Sequence, residues 1–154
     1  MRRKVQFAIF LPIILFALAW PTAVLPGSGQ KDMKVMMDSN FGILTKILVN
    51  LIRSDYDSIP ADVSIIEKHA MDLPVAIPAA AKSNQSQFLL LAYNLQSHAG
   101  NLKSVAKILR EHDQKKKIGV LDIDYLRNTA AAHFGEMVTT CVACHNQFRR
   151  TILK

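Results

Sequence analysis

The sequence is sparing with the residues that build many common sites. It holds two cysteines, Cys141 and Cys144, in 154 residues, too few for a disulfide framework, and no partner ligands stand at zinc-site spacing beside them. Aromatic residues make up 7% of the chain, with a single Trp, and none interleave with a basic stripe, so nucleic acid is not an expected partner. No run of alternating β-branched residues marks a strand. Ser, His and Asp are scattered without a nucleophile motif, so a catalytic triad finds no support and no enzyme activity is expected. There is no internal repeat and no low-complexity tract. A chain of this length suits one domain around one core.

What is present begins with an apolar block. Met1-Arg2-Arg3-Lys4 is a basic start, and Val5 to Trp20 is almost wholly apolar. Ala17-Leu18-Ala19 and Pro21-Thr22-Ala23 each offer a small-x-small cleavage pattern. These are the regions of a secretory signal. The run is short for a spanning helix and Pro12 interrupts it. Residues 1–23 are therefore read as a signal peptide cleaved after Ala19 or Ala23, 24–31 as a linker, and 32–154 as the mature domain. No later segment reads as long or apolar enough to cross a membrane, so the mature chain is expected to be soluble and periplasmic. The net charge of +7 falls by three when Arg2, Arg3 and Lys4 leave, a surplus too small to name a partner. Lys115-Lys116-Lys117 reads as a solvated turn.

The remainder reads as four helices. Met33, Met36, Met37, Leu44, Ile47, Leu48 and Leu51 recur at three- and four-residue spacing and form one stripe. Ser54 to Ser58 carries turn chemistry. Pro60 fits the first turn of a second helix whose inner face is Val63, Ile66, Ala70 and Leu73, and Pro74 and Pro78 stop it. Residues 74 to 86 read as a loop. A third helix is predicted from about Gln85 to His112, through Phe88, Leu91, Leu95, Leu102 and Leu109, with a kink allowed at Gly100. Asp113 to Gly119 reads as a charged loop. The fourth helix starts near Asp122 or Asp124, either of which can cap it, and runs to the end through Phe134, Met137, Cys141 and Phe148. Four amphipathic helices with short connections predict an all-α, antiparallel four-helix bundle.

Cys141-Val142-Ala143-Cys144-His145 is a C-x-x-C-H motif and uses every cysteine in the chain. Two thiols three residues apart can add to the two vinyl groups of one haem, and the following His then supplies an axial imidazole. On a helix these positions share one face. A thioredoxin-like dithiol would need a βαβ context, which is absent. A disulfide across three residues within a helix is strained. One such motif predicts one haem c, attached near the end of the fourth helix.

The position of the motif, at the close of a four-helix pattern, resembles the cytochrome c-prime family. The run Cys141 to Arg149 is similar to that family's C-x-x-C-H-x-x-[FY]-R signature. Met36-Met37-Asp38-Ser39-Asn40, Tyr56-Asp57 and Asp72-Leu73-Pro74-Val75-Ala76-Ile77-Pro78 are similar to its first two helices. The chain departs from the family in lacking a Trp between Ala79 and Phe88, and in carrying Asp32 where many members have Arg. The resemblance implies two alternatives for the distal face of the iron. In the low-spin branch a Met ligates it and the protein carries single electrons between redox protein partners. In the high-spin branch an apolar residue leaves the iron five-coordinate, open to small gases such as nitric oxide or carbon monoxide.

Aligning Tyr56-Asp57 and the Met36-x-Asp38 run without a gap puts Met36 at the distal position, opposite His145, with Met33 or Met37 taking it if the register slips. A thioether there would raise the potential; equally, Met is a common core gap-filler. Asn40 lies one turn on within the apolar stripe and needs a polar partner, either a haem edge or propionate or water at the rim. Phe148 is expected to pack near the haem, and Arg149 either biases the proximal His or is solvated near a helix C-terminus. His69, His98, His112 and His133 read as surface or satisfied histidines. Homodimers through the first two helices are common in the family, which makes a homodimer an expectation by analogy.

Overall fold

The computed structural model describes residues 28–77, 79–115 and 122–152. The leader read at 1–23, the lysines at 116–117 and the side chain of Arg149 lie outside the described residues. Among the described residues the chain is all-α, with no strand: α1 (Ser28–Ile52), α2 (Ile59–Asp72), α3 (Gln85–Lys115) and α4 (Ile123–Ile152).

The helix boundaries reflect local chemistry. α1 begins at Ser28, within the stretch read as a linker. It ends where Ser54 takes a left-handed backbone, φ 55°. The N–H of Ser54 donates to the Leu51 carbonyl and that of Asp55 to the Asn50 carbonyl, the paired bonds of a Schellman stop. A non-glycine residue bears the left-handed strain there. α2 has Pro60 in its first turn, where the missing N–H costs nothing. α4 is capped by Asp122, whose Oδ1 accepts the Tyr125 N–H at 3.0 Å.

Three further expectations need correction. The segment read as a loop over 74–86 is mostly wound into 3-10 turns, Leu73–Ala76 and Ala79–Asn84, because the prolines that stop an α-helix still permit tighter i→i+3 turns. α3 runs through Lys115 rather than stopping at His112; Asp113 and Gln114 are tolerated in an exposed last turn. Thirdly, Val35–Ile52 of α1 is long and apolar enough, by length and composition, to cross a membrane. It carries two charges, Asp38 and Lys46, and the helical spacing that reveals a stripe does not register the average over the whole helix.

Two apolar clusters fill the interior. The larger joins Ile47 of α1 to Ile59, Val63 and Ile66 of α2, Leu95, Leu102 and Leu109 of α3, and Leu126 and Met137 of α4. The smaller joins Met33 of α1 to Leu73, Phe88 and Leu91, and to Phe148 of α4. Polar ties fix α1 to α2. Lys46 Nζ meets Asp62 Oδ1 at 2.9 Å, Ser58 Oγ donates to Asp62 Oδ2, and Asn50 Nδ2 donates to Ser58 Oγ at 2.8 Å. Asp62 is buried, so these donors supply what lost water would have supplied. α2 and α3 approach closely at Gly100, where an added Cβ would lie 3.4 Å from Glu67 Oε1; Glu67 there pairs with Lys103.

Candidate functional site

α1 and α4 face one another across a cavity of about 500 Å³. Its walls arise from matching helical periods. Met37, Phe41, Leu44 and Leu48 line it from α1 at spacings of four, three and four. Phe134, Val138, Cys141 and His145 line it from α4 at the same spacings. Each set is therefore one continuous stripe. Met36 and Asn40 join the α1 wall, Cys144 joins the α4 wall, and Leu73, Phe88, Leu91 and Leu95 close the base.

The residues singled out from the sequence divide clearly. Cys141, Cys144 and His145 all line the cavity, with Met36, Met37 and Asn40 on the opposite helix. Met33 does not line it; at 1% exposure it is core, packed with Phe88 and Phe148. Phe148 is buried behind the cavity, its ring edge-on to Phe88 with centroids 5.4 Å apart. Phe88 reaches the cavity itself, so Phe148 supports a wall residue.

Asn40 has a partner that the sequence did not disclose. The Nδ1–H of His69, on α2, donates to Asn40 Oδ1 at 2.6 Å. Burial lowers the His69 pKa below its usual 6.5, Asp72 pulls it back up and Lys68 lowers it again. The bond orients the Asn40 amide and fixes α1 against α2 beside the cavity.

The two thiols are free and half-buried. Burial raises both pKa values, and the neighbouring Cys141 adds to the effect on Cys144, which is pushed up to about 11. Both are therefore protonated at neutral pH. Reactive C-x-x-C dithiols work the other way, with a thiol lowered to neutrality or below.

The sequence also missed Phe41. It lines the cavity and yet is 75% exposed, because the cleft between α1 and α4 is open. Its place on the stripe, four residues after Met37 and three before Leu44, is the signal that marks it. Among the described residues no three or more His, Cys, Asp or Glu side chains gather as a metal cluster. No protein-family model, curated protein or solved structure matches the chain.

Proposed function

We propose that the protein is a periplasmic c-type cytochrome that carries single electrons between redox proteins, built as an antiparallel four-helix bundle around one covalent haem. The observation that carries this reading is the cavity between α1 and α4: Cys141, Cys144 and His145 of the C-x-x-C-H motif line one wall and a thioether-bearing stripe lines the other.

The residues present fit the group. The cavity is within the size range of cofactor sites and its walls are apolar. Two thiols, an imidazole and a thioether are the donor set that c-type haem uses. Cys141 and Cys144 would hold the macrocycle by thioether bonds, His145 would supply the proximal ligand, and Met36 the distal one. When bound, haem supplies a one-electron iron couple. The protein's part is to fix the axial ligands and exclude water. The apolar side chains of both stripes lower the local dielectric, which tunes the potential. Raised thiol pKa values disfavour the rival reading of a dithiol redox switch.

Export supports the same reading, since c-type haem is attached outside the cytoplasm and the first 23 residues carry signal-peptide anatomy. The Asn50, Lys46 and Asn40 ties to α2 favour α1 as a bundle helix over α1 as a membrane span. The pairing of Met33 with Leu73, Phe88 and Phe148 in one cluster supports the antiparallel order, because it joins the start of α1 and α3 to the ends of α2 and α4.

The test is the absorption spectrum of the exported, pigmented protein, ferric and ferrous, with and without carbon monoxide, beside Met36→Ala. A low-spin spectrum with a sulfur-to-iron charge-transfer band, little response to carbon monoxide, and loss of that band in Met36→Ala is the expected result. A high-spin ferric spectrum with ready carbon monoxide binding would overturn the ligand and move the function to small-gas binding.

A further inference from the structure

Away from the cavity, α3 and α4 bring two imidazoles together. His98 Nδ1 and His133 Nδ1 lie 3.5 Å apart, with ring centroids separated by 5.8 Å and planes tilted by 43°. Both side chains are half-buried, within reach of solvent, and neither lines the cavity. We propose that His98 and His133 form a binding site for a divalent transition-metal ion, each giving one ring nitrogen and water filling the remaining positions.

Distance is the first argument. Two nitrogens each about 2.0–2.1 Å from one tetrahedral ion stand about 3.3–3.4 Å apart. The observed separation is within about 0.2 Å of that, so the spacing of the two helices suits a shared ion once the rings turn their lone pairs toward it. As a hydrogen bond, by contrast, 3.5 Å is beyond the usual N–H range. Little is lost when a metal replaces it.

Placement is the second. Ala99 and Leu102 beside His98, and Ala130 and Met137 beside His133, are all buried. The ligands therefore stand on helix segments fixed by the core, which pre-organises them. The third is chemistry. Imidazole suits zinc, nickel and copper. With no third His, Cys, Asp or Glu gathered at the pair among the described residues, the protein gives two nitrogens and leaves open positions. Affinity then tracks the order of the divalent ions and peaks at copper(II).

The proposal does not depend on the haem reading, and its test reads a different signal. Copper(II) is titrated into the full exported protein and monitored by electron paramagnetic resonance and by the thermal unfolding midpoint. The expected result is one ion per chain with two nitrogen ligands, and an unfolding midpoint raised by the bridge between α3 and α4. His98→Gln and His133→Gln should each weaken binding at least tenfold and abolish the rise in midpoint, while His112→Gln leaves both unchanged. Affinity that is equal in the wild type and both variants, whether from the Cys pair or another histidine, overturns the proposal. So does a wild-type spectrum with fewer than two nitrogen ligands, a measurement that needs no variant to fold.

Discussion

The interior around Ile47, Ile66, Leu102 and Met137 and the cleft between Phe41 and His145 are built from the same kind of helical stripe, but they end differently. In the first region four helices meet, and Ile47, Ile59, Val63, Ile66 and Leu102 are wholly buried. In the second, α1 and α4 stand apart, and apolar residues such as Phe41 at 75% and Leu48 at 43% remain exposed. The first region is complete with protein alone. Among the described residues, the second holds two apolar walls apart across the cavity. Exposed apolar area of this kind, contiguous and concave, marks a ligand or partner surface. Residues of the first region hold the fold; under the proposed function, those of the second are the ones that would meet a guest.

The largest test removes the anchor of that guest. With Cys141→Ser and Cys144→Ser together, the exported chain should lose all covalent pigment on a denaturing gel stained for haem peroxidase activity, while the helical signal of the bundle persists. Pigment retained through denaturation by the double variant would break the assignment of the open cleft to covalent haem.

The next test compares truncations in the two regions. Leu102→Ala, at a site with no exposure, should cost about 2–5 kcal/mol in denaturant unfolding, because the emptied volume cannot refill. Phe41→Ala in the pigment-free double-serine background should change stability by no more than about 0.5 kcal/mol, as an exposed side chain does. In the pigmented chain its cost should rise above about 1 kcal/mol, as burial against a partner would require. Equal costs for Phe41→Ala in both backgrounds would mean that the cleft is not where the pigment sits.

The closed region was largely legible in the sequence, and the cleft only partly. Stripes at three- and four-residue spacing located all four helices; Pro60 located one start and Asp122 or Asp124 bracketed another, because a missing N–H and a capping carboxylate act within one turn, and the Tyr125 N–H bond selects Asp122. That Cys141, Cys144 and His145 share one helix face was equally legible, since their spacing is itself that geometry. The three methionines were not separable, because positions i, i+3 and i+4 lie on one stripe. Only packing divides Met33, in the core, from Met36 and Met37, on the cavity wall. The partner of Asn40 was out of reach for the same reason: His69 is 29 residues away, and no local rule joins them. The 3-10 turns Leu73–Ala76 and Ala79–Asn84 resemble a loop in the sequence because a proline such as Pro74 marks the end of an α-helix and carries no separate signal for the tighter winding beyond it.

The smallest expected effect lies at the border between the two regions, where His69 holds Asn40. His69 in the unfolded chain takes up a proton near pH 6.5, whereas in the folded protein burial delays that uptake to lower pH. Between the two values the unfolded state binds more protons, so stability falls as the pH drops through 6.5 and levels off below the folded value. Above 6.5 the contribution is complete. His69→Gln keeps a side-chain N–H for the Asn40 amide but cannot titrate. The difference in unfolding free energy between wild type and His69→Gln should therefore be flat above pH 7 and should drift against the wild type below 6.5, with the other histidines cancelling in the subtraction. A difference that stays flat to pH 5 would mean that His69 is as well solvated folded as unfolded, and that the closed region ends short of the Asn40 bond.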